Sequence, residues 1–165
     1  MAFETKNIGT EAAFRKIKHY CAYQERAHAE VKQKLYGYGL YKNEVEELIS
    51  QLIEENYLNE ERFAKLFAGG RFRIKQWGKN KIVYELKQKG VSSYNIKHAL
   101  KEIGEADYAK VLNKLANTKW INLKGQHYLT KMAKTSAYLM QKGYEPTLIS
   151  AIVQSFRSKE KSKEP

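Results

Sequence analysis

The sequence predicts an all-α fold, an elongated array of three tandem three-helix repeats. Three observations carry this. Apolar residues recur at three- and four-residue spacing, and no stretch shows the strict alternation of a half-buried strand. With two prolines and ten glycines in 165 residues, long uninterrupted runs remain for helix. Finally, one pattern occurs three times. Leu35, Gly39, Leu40, Val45, Leu48 and Ile49 match Leu86, Gly90, Val91, Ile96, Ala99 and Leu100 at an offset of 51 residues, and then Leu139, Gly143, Tyr144, Ile149, Ile152 and Val153 after a further 53. In each copy a leucine four residues before a glycine closes one helix, and apolar positions beyond the glycine line the next. A fixed period of this length marks repeat architectures, whose units stack in a row on their neighbours.

Taken in order, residues 1–9 read as a flexible lead. Thr10 is the expected cap of a first helix from Glu11, whose acid suits a helix N-terminus, with Phe14, Ile17 and Cys21 on its inner face. A second helix is expected from about His28 to Tyr36, with Val31 and Leu35 inward, stopped by Gly37 and Gly39. Asn43, with Glu46 three residues on, reads as the capped start of a third. Its stripe is Val45, Leu48, Ile49, Leu52 and Ile53. A fourth is expected from Asn59 through Phe63, Leu66 and Phe67, ending at Gly69-Gly70. A fifth spans about 78–89 and buries Ile82, Val83 and Leu86. Two aromatic–alanine pairs, Phe63-Ala64 and Tyr108-Ala109, mark later helices of the first two copies. The repeats are accordingly placed at 10–55, 56–107 and 108–156, and the polar tail 157–165 is expected to be disordered.

Composition narrows the function. The chain is 42% hydrophobic and 29% charged, with a formal net charge of +12. Such a chain folds and is attracted to polyanions, above all nucleic acid or a protein assembled on it. Cys21 is the lone cysteine, which excludes an intrachain disulfide and fits a reducing compartment. Neither a membrane span nor the basic-then-apolar start of a secretory signal is present, so a cytoplasmic protein is expected.

The charge is concentrated. Seven glutamates and no base fall between Glu44 and Glu61, whereas nine Lys or Arg stand against Glu85 alone between Arg62 and Gly90. These cations are Arg62, Lys65, Arg71, Arg73, Lys75, Lys79, Lys81, Lys87 and Lys89. Rigidly held cations neutralise phosphates and release counterions, so this segment is the candidate binding surface. Trp77 fits either a core position or a surface that stacks on a base or partner. No chemistry of bond-making is indicated. His19, His28, His98 and His127 are scattered and lack metal-ligand spacing. Cys21 has the spacing of a buried apolar group, the glycines form no phosphate loop, and Glu44, Glu47 and Glu55 read as a solvated acidic face. No cofactor or metal is expected, and the chain reads as no enzyme.

At this point the residues resemble a known family. Tyr57-Leu58-Asn59-Glu60-Glu61-Arg62-Phe63-Ala64 resembles the YLDDERFA signature of RecX-type regulatory proteins. Gly78 to Val91 is similar to the partner motif of that family, with Glu85-Leu86 and Lys89-Gly90-Val91 in the places of its ELxxKGI. Glu25 to Val31 is similar to its ERSxxEL. The resemblance runs from about Ala12 to Phe156, with specific motifs as far as Val91. It implies three tandem three-helix repeats and a monomeric, non-enzymatic modulator of the RecA recombinase in homologous recombination, DNA repair and the SOS response. Such proteins lie in the groove of the RecA filament on single- or double-stranded DNA, mostly inhibiting ATP hydrolysis, strand exchange and coprotease activity. By position, Arg62 and the cations at 71–81 are then expected to face filament or DNA, while Tyr57, Leu58, Phe63, Ala64 and Leu86 pack. Two departures are visible. Ala27 stands where the family has a capping serine, and Asn59-Glu60 replaces Asp-Asp. The alternative function is a helical DNA-binding module or transcription regulator acting on DNA directly. Lysine rather than Arg, Asn or Gln predominates in the helix at 79–89, which suits phosphates better than base edges.

Overall fold

The computed structural model describes residues 5–161. Among them there are nine α-helices and no strand: α1 (Thr10–Tyr23), α2 (His28–Gly37), α3 (Lys42–Glu54), α4 (Glu60–Lys75), α5 (Lys79–Gln88), α6 (Ser93–Leu100), α7 (Glu105–Asn122), α8 (Tyr128–Lys142) and α9 (Pro146–Lys161). The fold is all-α, three helices to each copy of the sequence pattern.

The repeat is visible in backbone conformation. Gly39, Gly90 and Gly143 all adopt positive φ, at 82°, 77° and 98°. A β-carbon disfavours that conformation, which is why glycine recurs there. The amides of these glycines donate to Tyr36 O, Lys87 O and Met140 O at 2.9, 3.0 and 3.0 Å, carbonyls spaced at the same 51 and 53 residues. Val91 and Tyr144 then donate back to Leu86 O and Leu139 O, closing α5 and α8 in the same way. The leucines Leu35, Leu86 and Leu139 that open the pattern are all fully buried.

By compactness the chain forms two units. One runs from the start of the described chain to Phe67 and takes in Leu86–Ala99; the other comprises Ala68–Glu85 and the chain from Leu100 onward. In the first, α1, α2 and α3 pack on one another around Ala13, Ile17, Cys21, Val31, Leu35, Val45, Leu48 and Leu52, with Phe14, Tyr20 and Tyr57 at the margin. Burial pushes the Cys21 thiol up to about 11, so this cysteine is an inert core group. In the second, α7, α8 and α9 pack together. Their inner faces bury Leu112, Ala116, Trp120, Leu139, Ile149, Val153 and Phe156, and Tyr144 is buried in the connection between α8 and α9.

Several local expectations are corrected. Thr10 is the first residue of α1 rather than its cap; the chain enters through Gly9 at φ 87°. Helix α3 starts one residue before Asn43, and its start is held by Glu44, whose carboxylate accepts the Tyr41 amide at 2.8 Å. Glu30 does the same for the Ala27 amide, so half of a capping box survives without the serine. Helix α4 does not end at Gly69-Gly70 but continues to Lys75. Two glycines cost a helix roughly 1 kcal/mol each, and here Ala68 and Phe72, one turn apart and both buried, carry it through. Leu66 and Ile53, expected inside, are about half exposed. The tail is helical as far as Lys161, because Glu160 is tied to Trp120 and Lys131; residues 162–165 lie outside the described residues. Of the lead, residues 1–4 also lie outside them, while Ile8 donates to Tyr38 O at 3.2 Å.

Candidate nucleic-acid interface

The turn between α4 and α5 is built by residues with unusual backbone demands. Gln76 takes φ 58°, a conformation rare for a residue with a side chain. The Gln76 amide still donates to Phe72 O as in the helix, and the left-handed residue then turns the Trp77 amide onto Arg71 O, which stops α4 without a glycine. The turn is then fixed to the end of α8. The Gly78 amide donates to Lys142 O at 2.8 Å and the Asn80 amide to Gly143 O at 2.9 Å. The Tyr144 hydroxyl donates to Gln76 O at 2.9 Å, and the Lys142 ammonium to Lys75 O at 3.1 Å. A β-carbon on Gly78 would overlap the Gly143 carbonyl, and one on Gly143 would overlap the Lys81 side chain. Glycine at both positions is what permits this approach.

This locked turn presents Trp77 half-buried, with cations gathered on its ring. Lys81 Nζ, Arg71 Cζ and Lys75 Nζ stand 4.6, 5.4 and 5.6 Å from the ring centroid. Lys142 joins them through its bond to the Lys75 carbonyl. Among the described residues no acid forms an ion pair with Lys75, Lys81 or Lys142. Cation–π attraction holds the ammonium groups near the indole without neutralising them, so their charge remains available to an anion. Trp77 is thus neither wholly core nor an open stacking face; it is a platform for its cations. Lys79 starts α5 close by, its Nζ 4.7 Å from the Tyr108 centroid and its amide donating to the Tyr108 hydroxyl. That hydroxyl donates in turn to Glu145. Burial, then the Glu145 carboxylate, drive the Tyr108 phenol far above its ordinary range, so it stays protonated. Arg73 is exposed, its guanidinium folded back over Gly69 where a β-carbon would stand.

The other four candidates belong to the first unit, and three are engaged by acids. The Arg62 guanidinium pairs with Glu25 through Nε, and it donates to both the side chain and the carbonyl of Asn56 at 3.1 and 3.0 Å. Asn56 itself has φ 63°, so Arg62 braces a left-handed turn just before the signature helix. Lys89 pairs with Glu30 at 2.8 Å, and Lys65 with Glu61 at 3.0 Å. Burial pushes the Glu30 carboxyl up, but the hydrogen bonds and charges of Lys89, the Ala27 amide and Arg26 outweigh it and hold the group below its ordinary value. Lys87 is exposed.

Lys142 is the residue that reading the basic run alone misses. The repeat contains the signal: at the 53-residue offset Lys142 is the counterpart of Lys89, each standing immediately before its repeat glycine. Among the described residues no group of His, Cys, Asp or Glu is placed to hold a metal ion, and no helix is long and apolar enough to cross a membrane.

The chain is similar to known proteins in both sequence and fold. Residues 59–100, which contain most of the basic segment, match the family model described as RecX, second three-helix domain. The regulatory protein RecX of Chlorobium limicola is 30% identical over 159 residues, covering 96% of each chain. That of Prosthecochloris aestuarii is 32% identical over 141 residues, or 85% of this chain and 90% of that one. Other curated relatives are longer: the chain spans about half of the Oceanobacillus iheyensis regulatory protein RecX, 52% of its length, at 25% identity. The crystal structure of RecX from Lactobacillus salivarius superposes with a TM-score of 0.80 at 22% identity, covering 88% of this chain and 95% of that one, and so shares the fold. With near-complete coverage of relatives of its own length, three helices to each of three repeat copies and the signature segment bracing its turn through Arg62, the chain belongs to the RecX family of regulatory proteins.

Proposed function

We propose that this chain is a non-enzymatic, monomeric, cytoplasmic regulator that binds the RecA–DNA filament and mostly inhibits the recombinase, in ATP hydrolysis, strand exchange and coprotease activity. On this reading it serves homologous recombination, DNA repair and the SOS response, and needs no cofactor. The observation that carries the reading is the group of cations around Trp77. Arg71, Lys75, Lys81 and Lys142 are drawn from two distant parts of the sequence and fixed by four hydrogen bonds between the α4–α5 turn and the end of α8. A charge cluster that is only a solvated face needs no such fixing. Rigidly held cations suit a regular row of phosphates, and among the described residues Lys75, Lys81 and Lys142 form no ion pair with an acid. The family name supports regulation; RecA as the target rests on the resemblance carried by the signature segment.

Within this surface, Arg71, Lys75, Lys81 and Lys142 form the centre and Arg73, Lys79 and Lys87 extend it. Arg62, Lys65 and Lys89 serve first as braces, since Glu25, Glu61 and Glu30 already answer their charge. The deciding experiment is the DNA-stimulated ATPase of RecA with and without the protein. Turnover should fall as the protein is added and recover when the central cations are replaced. Unchanged turnover at saturating protein, together with tight sequence-selective duplex binding, would move the chain to a DNA-binding module acting alone.

A further inference from the structure

The third triplet carries an anion site of its own. A cleft of about 300 Å³ opens between the end of α7, the start of α8 and the end of α9, with Lys124, Lys131, Lys159, Trp120, Phe156 and Glu160 on its walls. Inside it the Lys131 ammonium and the Trp120 indole N–H converge on a single oxygen, Oε1 of Glu160, at 2.6 and 3.2 Å. The Lys131 side chain is only 9% exposed, and its ammonium also stands 4.4 Å from the centroid of the Trp120 ring. A buried ammonium requires an anionic partner. The partner it has is a carboxylate near the end of the last described helix, 40% exposed and therefore displaceable. Two donors of different chemistry aimed at one oxygen form a ready oxyanion site. Its present occupant belongs to the chain itself.

We infer that this cleft binds a phosphate of a nucleic-acid strand, with Glu160 as the internal anion that the phosphate displaces. Among the described residues that line the cleft, three lysines stand against one glutamate, a balance that favours an incoming anion. A phosphodiester oxygen takes the place of Oε1 between Lys131 and Trp120, while Lys124 on the cleft wall meets a neighbouring oxygen. The apolar flank offered by Phe156 and the exposed Ile121 is what distinguishes a nucleotide from a bare anion: a sugar or base covers it, and a free phosphate does not. This site shares no residue with the cations around Trp77, and it stands or falls without them.

The chain has two tryptophans, one in each site, so each site has its own probe. Protein labelled with 5-fluorotryptophan gives two fluorine resonances, assigned with Trp77→Phe and followed during titration with a short oligothymidylate, with inorganic phosphate and with a polyglutamate peptide. The Trp120 resonance should move with the oligonucleotide as its indole N–H changes partner. Glu160→Gln should lower the midpoint about tenfold by removing the competitor, and Lys131→Met should raise it about tenfold, the equivalent of one charge-assisted hydrogen bond. Inorganic phosphate should produce the same shift only at much higher concentration. A Trp120 resonance that stays still while the Trp77 resonance saturates overturns the inference and leaves the Trp77 surface intact. So does a midpoint for phosphate or polyglutamate at or below that of the oligonucleotide. Should Lys131→Met lose its helical circular dichroism, Glu160→Gln decides alone: an unchanged midpoint overturns the inference.

Discussion

Replacing Lys75, Lys81 and Lys142 together by glutamine tests the central surface most directly. None of the three is paired with an acid among the described residues, so the change removes three charges without orphaning a carboxylate. Glutamine keeps much of each side chain's length, and the backbone bonds from Gly78 and Asn80 to the end of α8 do not depend on these side chains. On a single strand each neutralised phosphate contributes about −0.7 to the slope of log affinity against log salt, so three cations account for a slope of about −2. Between 50 and 200 mM salt that corresponds to roughly a twentyfold greater loss of affinity for the wild type than for the variant. Fluorescence anisotropy of a labelled oligonucleotide, alone and coated with RecA, measures both slopes. Equal slopes for variant and wild type, with the thermal melt preserved, would show that these lysines meet no phosphate and refute the placement of the surface.

Four further outcomes follow from the packing. Leu86→Ala removes a fully buried side chain and should cost about 2–5 kcal/mol in chemical denaturation, so an unchanged midpoint would contradict its place in the core. Gly78→Ala forces a methyl group into the Gly143 carbonyl and should cost about 3 kcal/mol, whereas Gly90→Asn, at φ 77° with open space around it, should stay within about 1 kcal/mol; comparable losses would show that conformation alone decides. Arg62→Ala should lower stability by about 2 kcal/mol, through the lost bonds to Glu25 and Asn56, yet leave the salt slope of binding unchanged. The Glu30 carboxyl is held below its ordinary value of 4.5, so its contribution is present above the unfolded value and is lost as pH falls through the folded one. The stability difference between wild type and Glu30→Gln should therefore be constant from pH 7 to about 5 and shrink below that; a difference that grows on acidification would reverse the sign.

What the sequence disclosed follows from the range of the forces involved. Helix α2 and the glycine closures at 39, 90 and 143 depend on residues within one turn, and they are legible because glycine and apolar spacing act locally. The end of α4 is not legible, since Gly69-Gly70 is a local stop signal that the burial of Ala68 and Phe72 overrides. The start of α3 escapes for another reason. The acceptor for the Tyr41 amide is Glu44, one of three glutamates within four residues, and nothing in the sequence says which will turn back. The basic run points to the proposed surface but not to its membership. It includes Arg62 and Lys89, whose acid partners lie 37 and 59 residues away, and it omits Lys142, which arrives 67 residues after Lys75.

The three repeat glycines share one conformation and differ in their surroundings. All three hold the same left-handed turn, which only the closing of a helix requires. Beyond that they differ. A β-carbon at Gly90 would meet open space. At Gly39 it would press on the backbone of Asn7 and Thr5, and at Gly143 on Lys81 itself. The conformational role is common to the three copies, while close approach occurs in two of them, against the lead in one and against the cation-bearing turn in the other. On the proposed reading, the cations around Trp77 stand at the repeat junction with the closest approach. Gly143, the glycine with the tightest surroundings, immediately follows Lys142, the cation that the third copy contributes to the Trp77 surface.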